Sequence, residues 1–195
     1  MRNLSVLVAL LALLTFSNAC RNRQQASEQS SDSTTAATES APAPSTEATI
    51  AGRIAELGLT PDSDWRGISL GDEFAKIKTI EKGEPFESDA KHVGYTVEFK
   101  NLESADMLYY QANQKVSAIE VDLFLNSRES ATACQKELGA YFTSRYGSSK
   151  PAEGGTVWSG SQGQSVTLKD VSKGKDFGLK IRIAPANAIT TASAR

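Results

Sequence analysis

Ile119-Glu120-Val121-Asp122-Leu123-Phe124-Leu125 places an apolar side chain at every odd position, with two acids between them. A period of two marks an extended chain with one buried and one wet face, because successive side chains of a strand point to opposite sides. Phe124 is out of step, a large aromatic on the side otherwise given to Glu120 and Asp122. Upstream, Val93, Tyr95, Val97 and Phe99 keep the same alternation around Thr96 and Glu98. Met107 to Tyr110 reads as a further strand, joined to the one starting near Lys115 by a tight turn at Asn113-Gln114.

A helix precedes these three strands. From about Asp72 to Lys82, Phe74, Ile77 and Ile80 fall on one side, Asp72 suits the first turn as a cap, and Gly83 ends the run before Pro85. Before it, Asp64 to Gly71 reads as a short extended piece. Ile50 to Leu59 predicts a helical turn ended by Gly58 and Pro61. The pattern then recurs. Asn126, Ser127 and Glu129 form an N-terminal cap signal, and Ala131, Cys134, Leu138, Tyr141 and Phe142 follow at helical spacing until Tyr146-Gly147. After a loop over 150–155 come strands at 156–160, 165–169 and 176–183, the last two joined by a turn at Ser172 to Lys175. A helix plus three strands, twice, predicts an α+β fold: one antiparallel sheet with both helices on one face, in the manner of a tandem repeat. The other face is then open and carries Glu98, Glu120, Asp122, Phe124, Lys180 and Arg182.

The domain so defined runs from 50 to 186, with a frayed tail over 187–195. Residues 1–19 have the layout of an export signal: Arg2 as the positive start, the apolar run Leu4 to Phe16, and small Ser17 and Ala19 at the end. That run is too short to cross a hydrocarbon layer of about 30 Å as a helix, so removal is expected. Residues 21–49 are mostly Gln, Ser, Thr, Ala, Glu and Pro, and cannot bury enough apolar area to offset the entropy of ordering. They read as a tether with a reach on the order of 30 Å.

Ser17-Asn18-Ala19-Cys20 resembles the lipobox of bacterial lipoproteins, with cleavage after Ala19 and lipid on Cys20. The resemblance implies a membrane anchor, stable when two or more acyl chains are present. With Arg21 rather than an aspartate after the cysteine, it also implies the outer membrane, facing the periplasm. Ser17 and Ala19 equally satisfy the small-x-small rule of the ordinary signal peptidase, which leaves a soluble exported protein as the other route. Gly71, Ile77 and Gly83-Glu84-Pro85, followed by a strand, are similar to the glycine and Gly-x-Pro signature of the SmpA/OmlA outer-membrane assembly lipoproteins and to the beta-lactamase-inhibitor-like module. That similarity spans about 15 residues, with Asp72 where the family has methionine or serine, and implies a noncatalytic adaptor.

Several classes are disfavoured by composition. A formal net charge of −2 gives no basic surplus for nucleic acid. A single histidine and one cysteine besides Cys20 make a transition-metal site or an internal disulfide unexpected, and no cofactor motif is present. The glycines at 154, 155, 160 and 163 lack the lysine of a phosphate loop and read as turns. His92 reads as an edge residue without a nucleophile motif beside it, and Cys134 as a small buried hydrophobe. Glu120 and Asp122 read as a solvated pair awaiting Lys180 and Arg182 across the strands. Among the aromatics that could line a groove (Trp65, Trp158, Tyr109, Tyr110 and Tyr141), Trp65 joins Phe124, Glu120 and Asp122 as the expected binding surface. The leading expectation is a lipid-anchored envelope protein, not an enzyme, whose domain works as an assembly module by binding another protein or a wall component. A carrier of a small apolar ligand is the alternative, and a hydrolase built around His92 a third class.

Overall fold

The computed structural model describes residues 52–99 and 101–188. The expectations for the leader, Ala19, Cys20, the tether and the last seven residues lie outside the described residues.

Within them the alternation becomes a ladder. β2 (His92–Glu98), β3 (Ser104–Ala112) and β4 (Lys115–Leu125) form one antiparallel meander; β6 (Gly155–Ser159), β7 (Gln164–Asp170) and β8 (Phe177–Pro185) form a second. β4 pairs antiparallel with β8 and joins the two. Short strands β1 (Glu87–Ser88) and β5 (Lys150–Ala152) extend the outer sides, giving the order β1-β2-β3-β4-β8-β7-β6-β5. The order reads the same outward from the β4–β8 seam in both directions. Each half therefore has four strands rather than three, and 150–152 is strand rather than loop. A strand of two or three residues is too short for alternation to register in sequence.

Pairing brings the apolar positions onto one side. Tyr95 faces Met107, Met107 faces Val121, Val121 faces Ile181 and Ile181 faces Leu168. Of these, Met107, Val121, Ile181 and Leu168 are almost completely buried. The Asn113-Gln114 turn has φ of 53° and 62°, the left-handed pair that a two-residue hairpin needs to match strand twist. Gly174, at φ 64°, turns the β7–β8 connection.

α3 (Arg128–Tyr146) starts at Ser127, whose hydroxyl accepts the Ser130 amide at 3.0 Å, and stops at Gly147, φ 81°. Its stripe Ala131, Cys134, Leu138, Tyr141 and Phe142 is buried against β4, β6, β7 and β8. The Phe142 ring lies 5.4 Å from those of Tyr141 and Trp158.

The first half is covered differently. The helix expected over 72–82 is a 3-10 turn, Phe74–Lys76, followed by one turn of α2 (Ile77–Ile80). Two causes shorten it. At the front, the Gly71 amide donates to Val116 O and the Phe74 amide to Gln114 O, both at 2.8 Å, which ties the chain to the β3–β4 hairpin. Asp72 does not cap the turn; its carboxylate accepts the Ser69 amide at 2.9 Å and pairs with Lys76. At the back, Glu81 leaves the helical region (φ −80°, ψ 117°) and turns its carboxylate inward. α1 (Arg53–Glu56) is the short lead-in, ended near Gly58 at φ 69°. Ile54 of α1, Ile77 of α2 and the stripe of α3 all enter one core on the same side of the sheet.

Candidate functional site: the open face of the sheet

With all three described helices on one side, the alternate positions of each strand face away from them. Register sets these side chains in rows across the seam. Glu120 pairs with Arg182 and Asp122 with Lys180, and both are ion pairs: the Lys180 Nζ is 2.8 Å from Asp122, and the Arg182 guanidinium contacts Glu120. Such half-exposed pairs contribute little to stability, about 0–1 kcal/mol each. They fix the orientation of charge on the surface instead.

Phe124 stands in the next row, 51 % exposed, opposite Gly178. At the first edge Phe86, half exposed, lies across Gly94 and Leu108. A Cβ on Gly94 would come within 2.6 Å of the Phe86 ring, so only glycine admits this approach. A shallow groove of about 490 Å³ lies across the seam at the end away from Phe124, lined by Tyr110, Ala118, Glu120, Arg182, Ala184 and Pro185. The Tyr110 hydroxyl reaches toward Glu120 at 3.5 Å.

The structure thus brings together Phe124, Glu120 and Asp122, with Lys180 and Arg182 as their cross-strand neighbours. Trp65 is not part of this surface. It is fully buried on the core side, where its amide donates to Ile68 O at 2.9 Å and the two residues close a tight bridge. A large apolar ring in a loop that folds back on the core is more stable under it than on the surface. Tyr109, Tyr141 and Trp158 are core as well.

His92 begins β2, its Nε2 2.8 Å from Glu87 and its Nδ1 3.1 Å from Asp89, so its contacts close the β1–β2 hairpin. Cys134 is buried, and burial pushes its thiol up to about 11, which keeps it a protonated, unreactive small hydrophobe. The space between α3 and the sheet is filled by Phe142, Leu138 and Trp158.

Three buried carboxylates were not legible in the sequence, because their partners are distant in the chain. Glu81 takes Arg66 through two bonds, at 2.9 and 3.1 Å, and the Tyr109 hydroxyl at 2.6 Å. Burial and then the Glu81 carboxylate push the Tyr109 phenol well above its ordinary value, so it acts as a hydrogen donor. Asp64 accepts the Leu70 amide at 2.9 Å and the Tyr146 hydroxyl at 3.0 Å. Glu103 receives Arg53 at 3.3 Å, the Ser130 hydroxyl and the Asn126 amide. Each nails a connecting segment to the helix–sheet core, and none faces the open side.

Fold and surface together define an α+β protein with a mirror-ordered antiparallel sheet, shielded by helices on one side and carrying an ordered charge pattern on the other. No protein-family model matches the chain, and neither does any curated protein or solved structure.

Proposed function

We propose that this chain is a lipid-anchored protein of the bacterial cell envelope, held at Cys20, whose domain binds another protein on the open face of its sheet and catalyses no reaction of its own. The observation that carries the binding half is the face that no described helix covers: an exposed Phe124 beside a fixed row of paired charges. A half-exposed aromatic rimmed by charges is what protein interfaces concentrate at their centre. The leader, the lipobox resemblance and the Ser/Thr/Gln-rich stretch support the anchor and the outer-membrane, periplasm-facing location.

Two measurements test the reading. A photo-crosslinking amino acid in place of Phe124 is expected to yield protein adducts in the envelope, whereas the same group in place of exposed Lys136 on α3 yields none. Equal yields at both positions would remove the face as a binding surface. Labelling with an alkyne fatty acid is expected for the natural chain and lost in Cys20→Ala; absence of label in both would remove the anchor.

A further inference from the structure

The two halves of the open face are opposite in charge and in bulk. Following one row across the seam, Asp106 on β3 lies beside Asp122 on β4, then Lys180 on β8, then Lys169 on β7. The order is acid, acid, base, base. Only the middle pair is a salt bridge; among the described residues neither Asp106 nor Lys169 forms an ion pair. Two like-charge pairs directly across from each other are locally unfavourable; within the monomer Asp106 accepts the Thr96 hydroxyl at 2.6 Å but meets no cation. In the neighbouring row Phe124 on β4 faces Gly178 on β8. The bulky Phe124 and the acids belong to the first half, and the small Gly178 and the bases to the second.

From this we infer that the protein bound on the open face is a second copy of this chain, packed face to face about a two-fold axis that runs along the β4–β8 seam. The inference rests on the reading of this face as a protein-binding surface. The argument is geometric. A half-turn about an axis parallel to the strands, midway between two facing sheets, exchanges left and right while keeping each residue at its height along the strand. β3 of one copy then lies over β7 of the other, and β4 over β8. Asp106 meets Lys169 of the second copy, and each acid of the seam meets a base. Phe124 comes to rest above Gly178, which has no side chain to obstruct it. A half-turn about the perpendicular in-plane axis would instead set acid on acid. Aligned packing of two twisted sheets, at about −30°, is the ordinary way such faces meet. Charge sets the pairing here rather than apolar area, so the association weakens with salt.

The test uses the full chain in two differently tagged forms, co-expressed in a bacterial host and solubilised in a mild non-ionic detergent. Co-capture of one form by the other is expected for the natural sequence, reduced about tenfold in E120K/D122K alone and in K180E/R182E alone, and restored when the two variants are mixed. Failure of the mixture to restore capture, with both variants folded by circular dichroism, overturns the second-copy assignment. A photo-crosslinking residue in place of Phe124 in the otherwise natural chain gives an independent reading. An adduct of twice the chain mass, joined to the peptide Phe177–Ile183, supports the inference and decides the matter should the reversed variants lose their fold. Adducts to a different protein alone overturn it while leaving the open face a binding surface. No adduct at all removes both.

Discussion

The two halves of the sheet are built alike and protected differently. The second half lies under α3, whose apolar stripe buries Phe142 and Leu138 against Trp158 and β8. The first half has only a single turn of α2, and its connecting segment is held by Arg66, Glu81 and Tyr109 instead. One strand pattern thus tolerates two kinds of cover. A long helix supplies apolar area, which is non-directional; a short one needs buried polar bonds that fix position.

If the second half depends on its helix, Phe142→Ala should have the largest effect on the fold. It removes a fully buried ring, and is expected to cost about 4 kcal/mol in urea unfolding. Glu81→Ala probes the other kind of cover. It leaves the Arg66 guanidinium and the Tyr109 hydroxyl without their acceptor, with an expected loss of about 3 kcal/mol. Hydrogen exchange separates the two cases: Glu81→Ala should raise exchange chiefly over 66–82, whereas Phe142→Ala raises it across β6, β7 and β8. Uniform exchange in both variants would mean that the halves do not differ in this way. Tyr109→Phe, which leaves the Arg66–Glu81 pair intact, should cost less, about 1–2 kcal/mol.

Glu103 ties α1 to α3, and its effect depends on pH. Burial pushes its carboxyl up, but hydrogen bonds from Ser130, Asn101 and the Asn126 amide, with the Arg53 charge, hold it below its ordinary 4.5. A depressed carboxylate binds fewer protons in the folded chain than in the unfolded one. Its contribution is therefore complete above the unfolded value and lost as pH falls through the folded one. Urea midpoints should drop as pH falls below the ordinary carboxyl range and through the lowered Glu103 value, and Glu103→Gln should flatten that limb while lowering stability at neutral pH. The smallest expected change is on the open face. Asp106→Asn removes a like-charge neighbour of Asp122 but weakens the bond from the Thr96 hydroxyl, so it should change the stability of the isolated fold by less than about 0.5 kcal/mol while weakening self-association. Unchanged self-association in Asp106→Asn would show that the acid, acid, base, base row is incidental.

Much of this architecture is written in local pattern. The strands from Val93, Ile119 and Phe177 were legible because each keeps a period of two, and α3 because its cap, stripe and terminal glycine agree. Glu120 and Asp122 could be matched with Arg182 and Lys180 because all four lie off the apolar register of long strands. The α2 segment was over-read: Phe74, Ile77 and Ile80 have helical spacing, but long-range bonds to Val116 and Gln114 keep the preceding chain extended. Trp65 was misplaced for a related reason, since a loop residue carries no period that says which way it faces. Alternation with Met107 and Leu168 places Asp106 and Lys169 outside, but no pattern in the sequence says that they share a row. The buried acids left no such trace, because Arg53 and Glu103, or Arg66 and Glu81, become neighbours only when the chain has folded.

The brevity of the outermost strands has a further consequence. β1 offers two residues and β5 three, the middle one Pro151, which has no amide proton to donate. β1 covers only Val93 and Gly94 of β2, so the outer edge of β2 from Tyr95 to Glu98 has no described strand beside it, whereas at the other margin Pro151 denies a newcomer an amide donor. A protein crowded at high density is therefore better guarded against sideways growth of the sheet at its β5 margin than at its β2 margin.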